Sequence, residues 1–441
     1  MLSSYIMRKS LKVLINAQLA PGGGVGGVEQ FLAGLVHALG RLSDSDEEYI
    51  LITDPRHPDW VKPHVGPNQR IVPNQRIVAA PQRKRGRLER AKQLLGPLGP
   101  PASKLWRATR SLLSPDSGRY GPAVPESNGF LESLGGDVIH FPFQRFIRCR
   151  LPAIYNPHDL QHLHFRQFYS STAFRRRETR YRAGCKHAQA VATESEAVKD
   201  DLVKRYRLDP QKIFVVKRGS PTVFYDEVSN EDLLKIRDKF GLPEKFAFYP
   251  ARMRPNKNHL RLLEAIGLVR ARYGVCLNLV CTGLKDDHWP PIEQRMSELK
   301  LDAQVSFLGY VSSAELHALY HLAQFLVFPS LFEGGGFPVL EGLHEGIPVI
   351  CSEIPPLREY GGDAVLTFDP HSVESIAASL VRIARDEDLR AELRKRGSLR
   401  IRMFTWERTA KTYRALYRKV AGFPLSEEDV VLLARSQPGR N

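Results

Sequence analysis

Apolar and polar positions alternate along the chain in a way that predicts strands and helices in turn. Residues 11–15 form a short apolar run typical of a buried strand, and apolar residues then recur three and four positions apart over residues 28–39, the spacing of an amphipathic helix. Further strands are predicted at residues 137–141, 153–155, 213–216, 245–249 and 325–328. Helices are predicted at residues 174–186, 259–269 and 406–420. Strands that alternate with helices are typical of an α/β fold.

The most informative segment runs from residue 325 to residue 351. Pro329 ends the apolar run at residues 325–328, and Pro338 suits the first turn of a helix, where its missing N–H costs nothing. A second strand is predicted at residues 349–351, after Gly346 and Pro348 close the helix. The segment therefore reads as strand, turn, helix and strand.

Three glycines and two glutamates mark the turn of this segment. Gly334, Gly335 and Gly336 leave backbone N–H groups open at the positive end of the following helix, which favours an anion. Glu333 lies just before them and Glu341 lies one turn into the helix. Because carboxylates would repel a bare phosphate, we expect them to accept hydrogen bonds from hydroxyls attached to one. A sugar nucleotide offers both groups.

The motif FEGGGFPVLEG, with its two glutamates eight positions apart, resembles the signature of retaining glycosyltransferases of family 4, which have the GT-B fold. The resemblance extends through nearly the whole chain and is densest over residues 249–370. It implies two Rossmann-like doubly wound domains that face each other across a cleft, with a C-terminal helix crossing back to the first domain. The expected parts are residues 1–222, 223–405 and 406–441. A tight βα turn with solvated glutamates in an ordinary Rossmann-like domain is the alternative.

The resemblance also implies roles for the residues of the motif. Glu333 is expected to fix the sugar hydroxyls as a catalytic residue, and Glu341 is expected to bind the ribose of the nucleotide. Gly335 and Gly336 are expected to bind the donor phosphates. Gly334 and Phe337 are expected to make contacts to the sugar and with the backbone of the site.

Arg252 and Lys257 flank a turn that enters a helix in the segment PARMRPNKNHLRLLEA. An Arg fork beside a Lys point charge suits a diphosphate. These residues match the family's donor-phosphate pair, which does the work that a divalent metal does elsewhere, so no metal or other cofactor is expected. Two solvated loop cations are the alternative. The adjacent Asp286 and Asp287 carry no metal-ligand spacing.

A glycine-rich loop at residues 21–27 precedes the first helix. It is not the dinucleotide fingerprint with a downstream acid, so a nicotinamide site is not expected. By resemblance, Gly26 and Gly27 lie against the donor phosphates. A tight turn with no ligand is the alternative.

His158 lies in the segment HDLQH, just past a predicted strand end, where open α/β sheets place ligand contacts. By resemblance, this histidine reaches the transferred sugar near the reaction centre. Together His158, His162 and His164 suggest a metal, but no matching acidic group accompanies them. The family often has a Pro-Asn-Gly turn between its domains, and the segment that starts at Arg218 departs from it.

The 441-residue chain has a formal net charge of +16, and the excess lies entirely in its first half. A basic surface suits nucleic acid, an anionic membrane or a phosphorylated acceptor. No nucleic-acid motif is present, so nucleic acid is not expected. An insertion at about residues 81–128 is basic, with amphipathic pieces that suit either a membrane surface or packing on its own domain.

Other features of the sequence bear on metal binding, cellular location and strand pairing. The five cysteines are scattered without metal-binding spacing, and no apolar run approaches the length of a membrane-spanning helix. The N-terminal stretch lacks a signal-peptide core, which predicts a cytoplasmic protein, with peripheral contact to the inner membrane left open. Residues 67–72 and 73–78 repeat PNQRIV, and a six-residue shift preserves alternation, so either copy can pair in a sheet.

The resemblance implies transfer of a hexose, with retention of configuration, from a nucleotide-diphosphate sugar to a glycan or lipid-linked acceptor. Similar segments occur in bacterial enzymes of surface-polysaccharide assembly, mannosyltransferases among them. GDP-mannose is therefore the first expected donor, followed by UDP-hexoses. The alternatives are a nucleotide-sugar epimerase and a non-enzymatic protein that binds membrane or nucleic acid.

Overall fold

The computed structural model describes residues 10–20, 26–44, 46–74, 124–225 and 227–437. Most of the basic insertion predicted at residues 81–128 lies outside these ranges, so its contact with a membrane stays a prediction. The first PNQRIV copy supplies all but the last residue of the strand Gln69–Pro73. Only the first two residues of the second copy, Pro73 and Asn74, are among the described residues.

A parallel sheet of seven strands forms the centre of the first half, in the order β3-β2-β1-β4-β5-β6-β7 among the described residues. Leu14 pairs with Ile50 and Ile139 on either side, and all three are fully buried, as expected for a sheet covered on both faces. The strands are β1 Lys12–Ala17, β2 Glu48–Thr53, β3 Gln69–Pro73, β4 Val138–Phe141, β5 Ala153–Tyr155, β6 Ala190–Thr193 and β7 Ile213–Val215.

Helices connect these parallel strands. Helix α1 follows β1, and its face of Phe31, Leu32 and Leu35 is buried against the sheet. The helices described in this half are α1 Gly27–Leu39, α2 Phe130–Ser133, α3 Gln161–His164, α4 Ser171–His187 and α5 Glu196–Tyr206.

A second parallel sheet follows in the order β10-β9-β8-β11-β12-β13. Its strands are β8 Ala247–Pro250, β9 Leu279–Thr282, β10 Val305–Phe307, β11 Phe325–Phe328, β12 Val349–Ser352 and β13 Leu366–Phe368. Its helices are α6 Asn230–Phe240, α7 His259–Tyr273, α8 Trp289–Glu298, α9 Ser313–Leu322, α10 Phe337–His344, α11 Pro355–Gly361, α12 Val373–Arg385 and α13 Glu387–Arg400. The chain thus has two successive Rossmann-like domains, each with one parallel sheet.

The last two helices, α14 Trp406–Ala421 and α15 Glu427–Arg435, return to the first sheet. Tyr417 and Tyr413 of α14 place their hydroxyls 2.8 Å from Nδ1 of His140 and 2.6 Å from Nδ2 of Asn156, respectively. These four residues are buried, so α14 is fixed to the first domain by a polar network inside the core. The predicted helix that crosses back is confirmed.

The loops after the strands of both sheets meet between the two domains. Ser195, which follows β6, donates from its hydroxyl to the carbonyl of Gly334, which follows β11, over 2.8 Å. Because ligands of such sheets bind beyond the carboxyl ends of the strands, this line of contact marks the cleft. Within the described ranges, no helix has the length and apolar character needed to cross a bilayer.

Candidate active site

Three cationic side chains follow β8 at the edge of the second sheet. Nζ of Lys257 lies 2.5 Å from Oε1 of Glu333, which follows β11. Arg252 instead pairs with Asp286, over 2.8 Å, and the exposed Arg254 shares that carboxylate over 3.1 Å. Hydrogen bonds from both guanidinium groups keep the pKa of Asp286 below its usual range, although burial works to raise it. The edge therefore holds paired charges at two neighbouring points.

The glycine loop that follows Glu333, residues 334–336, packs closely against the first domain. A Cβ at Gly334 would lie 2.2 Å from the carbonyl oxygen of His158, and a Cβ at Gly335 would lie 2.6 Å from Nη2 of Arg218. These positions need glycine because of close approach. Gly336 then precedes α10, whose first backbone N–H groups have no partner within the helix.

Glu341 is buried on α10 and accepts hydrogen bonds from two tyrosines. The hydroxyl of Tyr320 donates to Oε2, and the hydroxyl of Tyr225 lies 3.4 Å from Oε1. Burial raises the pKa of Glu341 to about 7, although both hydrogen bonds lower it. Tyr225 also accepts a 3.0 Å hydrogen bond from Gln30 of α1, so this carboxylate is linked to the first domain.

The first domain contributes a buried charge network centred on Glu194, the residue after β6. Oε1 of Glu194 lies 2.7 Å from Nδ1 of His158, and Oε2 lies 3.0 Å from Nη2 of Arg218. Burial works to raise the pKa of Glu194, but the charges of Arg218 and His158 hold it below its usual range. Nε2 of His158 lies 2.7 Å from the carbonyl of Pro142, which can only accept. Both ring nitrogens therefore face hydrogen-bond acceptors.

Phe337 connects this network to the second domain. The guanidinium of Arg218 lies 3.4 Å from the centre of the Phe337 ring, a cation–π contact that is out of water because both side chains are buried. A Cβ at Gly27 would lie 2.9 Å from Cδ2 of the same ring. Gly26 has a positive φ of 57° that suits glycine at the start of α1.

The structure brings most of the predicted site residues to one cleft. Lys257 and Glu333 are in direct contact, and His158 touches the glycine loop through its backbone. Glu341 is separated from them by its tyrosine pocket, and Arg252 faces Asp286. The individual roles of these residues and the absence of a donor metal stay predictions.

Several residues at the cleft were not predicted. Glu194 and Arg218 follow strands β6 and β7, so the strand-end rule that singled out His158 could have found them. Arg218 stands where the chain departs from the family turn. Tyr225 and Tyr320 give no signal in the sequence, because only the fold brings them to Glu341.

Two family models match the chain. The model described as Glycosyltransferase Family 4 matches residues 25–223, and the model described as Glycosyl transferases group 1 matches residues 233–400. The first match includes every strand of the first sheet except β1, and the second match includes the whole second sheet. The chain belongs to the glycosyltransferases that these two models describe, which confirms the resemblance found in the sequence.

Relatives of known function are similar over part of the chain. At 28% identity, 57% of the chain matches 66% of the length of O-antigen chain mannosyltransferase B of Escherichia coli. At 30% identity, 46% of the chain matches 52% of the length of O-antigen chain mannosyltransferase RfbU of Salmonella typhimurium. The chain thus matches less than two thirds of the length of either relative.

Solved structures are similar over almost the whole chain. A crystal structure of Anabaena Alr3699/HepE with UDP and glucose covers 93% of this chain and 100% of its own, with a TM-score of 0.63 and 16% identity. Sucrose-phosphate synthase from Thermosynechococcus elongatus covers 94% of this chain and 100% of its own, with a TM-score of 0.62 and 20% identity. At such identities the likeness shows the fold, and the GT-B prediction is confirmed.

Proposed function

We propose that the protein is a retaining hexosyltransferase that moves mannose from a nucleotide-diphosphate sugar, GDP-mannose first, to a glycan or lipid-linked acceptor in cell-surface polysaccharide synthesis. The names of the Escherichia coli and Salmonella typhimurium relatives support mannose and an O-antigen chain. The UDP and glucose bound by the Anabaena protein keep UDP-hexoses as the second donor class.

The observation that carries this proposal is the contact between Lys257 and Glu333. An ammonium and a carboxylate 2.5 Å apart can address two adjacent groups of one ligand. Lys257 binds a phosphate oxygen as a point charge, while Glu333 accepts hydrogen bonds from sugar hydroxyls. A sugar phosphate has these two groups on either side of the bond that breaks. A bare nucleotide has no hexose hydroxyls for Glu333.

Charge that develops on the leaving phosphate needs stabilisation as the glycosidic bond breaks. Lys257, Arg252 and the N-terminus of α10 lie along one edge, and Asp286 holds the Arg252 guanidinium in place. Groups fixed in this way need little reorganisation when the charge appears. We therefore assign leaving-group stabilisation to protein cations rather than to a metal ion.

Retention follows if the acceptor attacks from the face that the nucleoside diphosphate leaves. The bond between the anomeric carbon and the phosphate oxygen breaks, the acceptor oxygen bonds to the same face, and its proton passes to the leaving phosphate. We assign no covalent nucleophile. We place His158, whose backbone lies against the glycine loop, near the transferred sugar.

The acceptor is proposed to meet the first domain. Helix α4 carries five arginines, and the whole first half holds the net positive charge of the chain. A lipid-linked acceptor supplies phosphate for such a surface, and the cytoplasmic face of an inner membrane would present it.

Thermal denaturation with GDP, UDP, ADP and CDP, each with and without EDTA, tests the donor site. A nucleotide that binds only the folded protein raises the melting temperature. We expect GDP to give the largest shift, with the same increment in EDTA, and Lys257→Ala to remove most of it. The exposed Arg272→Ala, at the far end of α7, serves as the matched control and should keep the wild-type shift. No shift with any nucleotide would contradict the donor site.

The stereochemistry is tested separately, by NMR of the product formed from GDP-mannose and an O-antigen fragment. An α-linked product from the α-linked donor supports retention, and a β-linked product overturns it. Conversion of a UDP-hexose to its epimer without any acceptor would favour the epimerase alternative.

A further inference from the structure

Two histidines and a glutamate converge at one point outside the residues assigned to the donor. His317 and His321 lie one turn apart on α9, and Glu345 follows the end of α10. Oε2 of Glu345 lies 2.9 Å from Nε2 of His317 and 3.2 Å from Nε2 of His321. The two Nε2 atoms are 3.2 Å apart. Three potential ligand atoms thus form a nearly equilateral triangle.

The size of the triangle fits a bound transition metal. A metal about 2.0–2.1 Å from each ligand, with ligand angles between those of an octahedron and a tetrahedron, needs ligand atoms about 2.9–3.4 Å apart. All three separations in the cluster fall within that range. Histidines four positions apart on a helix lie on the same face, so the backbone itself brings the pair together.

Burial gives a second, independent observation. The Glu345 side chain is only 4% exposed, and its Oε1 has no hydrogen-bond partner among the described residues. An unpaired buried carboxylate oxygen is costly, and a cation that both oxygens of Glu345 bind would satisfy it. The His321 side chain is 41% exposed, which leaves one side of the cluster open to solvent, so a metal ion and a further ligand can reach it.

We propose that His317, His321 and Glu345 form a binding site for a first-row divalent transition metal, Zn²⁺ first. Two imidazoles with one carboxylate suit zinc and its neighbours, whereas Mg²⁺ and Ca²⁺ prefer oxygen ligands alone. Among the described residues, this is the group of three metal-competent side chains that comes close enough together.

The bound metal has a structural role beside the donor site. It joins α9 to α10, and Glu345 lies one turn beyond Glu341. The ring of His317 contacts the ring of Tyr225 at 5.9 Å between centres, and the Tyr225 hydroxyl reaches Glu341. Occupancy therefore fixes one wall of the Glu341 pocket and takes no part in glycosyl transfer. The site does not depend on the proposed transferase activity.

The test uses full-length protein without a histidine tag, stripped by a chelator and titrated with ZnCl₂ by calorimetry. Co²⁺ titration, read by visible absorption, reports nitrogen and oxygen ligation. We expect one Zn²⁺ per chain and a higher melting temperature with metal. His321→Ala and Glu345→Gln are expected to weaken binding at least about 100-fold.

The control variant is His344→Ala, which removes an exposed histidine next to Glu345 that does not belong to the cluster. It should bind Zn²⁺ as the wild type does. The exposure of His321 makes its alanine variant safe for folding, and circular dichroism checks Glu345→Gln. Equal binding by the wild type and His321→Ala, or loss of binding in His344→Ala, would overturn the proposal.

Discussion

The two edges of the cleft hold their charges in opposite ways. On the first domain, Glu194 pairs with His158 and Arg218, and these three side chains are between 3% and 9% exposed. The second domain has two ion pairs instead, Lys257 with Glu333 and Arg252 with Asp286, and the exposure of these side chains is 17–26%. One network is sealed inside the protein, and the other remains open to water.

This difference separates structure from chemistry. A sealed network has lost its water, so its charges depend on one another and removal of one leaves the others uncompensated. Pairs that remain partly hydrated can exchange a protein partner for a ligand at little cost. The first edge therefore positions the cleft, and the second edge binds what enters it.

A substitution in the sealed network should cost the most stability. Glu194→Ala leaves Arg218 and the His158 ring buried without their anion, and it should lower the free energy of unfolding by about 3–5 kcal/mol. Urea denaturation of the variant measures the loss. Glu196→Ala, two residues further on and half-buried, is the control and should cost much less. Equal losses in the two variants would show that the Glu194 network contributes no more stability than an ordinary partly buried carboxylate.

The open edge should respond in turnover rather than in stability. Lys257→Ala removes a cation that stabilises the leaving phosphate, so we expect kcat to fall about 100- to 1000-fold. Its free energy of unfolding should change by about 1 kcal/mol. Steady-state kinetics beside urea denaturation separates the two effects, with Arg272→Ala as the control. A Lys257→Ala variant with a much lower free energy of unfolding but an unchanged kcat would reverse the assignment.

Glu341 offers a test within the second domain, because it is buried and accepts its hydrogen bonds among the described residues from tyrosines rather than from a cation. Its pKa rises from 4.5 to about 7 on folding, so the folded protein holds a proton that the unfolded chain has lost. Stability should therefore fall as pH rises from about 4.5 to about 7, by about 3 kcal/mol in total.

Glu341→Gln should lack this part of the pH dependence. Urea denaturation of both proteins at pH 5, 6, 7 and 8 gives the difference, which should grow up to pH 7 and then level off. A constant difference would mean that the carboxylate does not titrate in this range.

The hydrogen bond that joins the two edges should contribute only a little stability. Ser195 caps α5 and also donates to Gly334 across the cleft, whereas Ser170 only caps α4. Ser195→Ala should cost about 1 kcal/mol more than Ser170→Ala, the value of one hydrogen bond. Thermal denaturation of both variants measures the difference. Equal costs would show that the cross-domain bond contributes nothing.

Sequence patterns were sufficient for the elements with strong local signals. The strands at residues 153–155 and 325–328 were predicted at their observed bounds, and α14 ends one residue past its predicted end. Strands β2 and β9 were not predicted, since short apolar runs do not distinguish a strand from part of a helix.

The resemblance predicted single residues of the candidate site, and the strand-end rule could have added Glu194 and Arg218, but neither predicts which side chains meet. Lys257 and Glu333 are 76 positions apart, and no rule of sequence spacing predicts that their side chains form an ion pair. The residues of the network around Glu194 lie in three different loops, so neither local propensity nor periodicity can predict that they meet. The pocket of Glu341 needs a tyrosine from the connection between the domains, where the chain departs from the family pattern.

The close approach of Gly334 to His158 has a consequence for the timing of a reaction cycle. No additional carbon atom fits between the two domains at this point, since a Cβ there would lie 2.2 Å from an oxygen. The edges cannot move closer at this point, so any domain motion that accompanies donor entry or nucleotide release must separate them here. In the proposed transferase such a separation would be a step of each turnover, and a slow separation would limit the turnover rate however fast the bond is made.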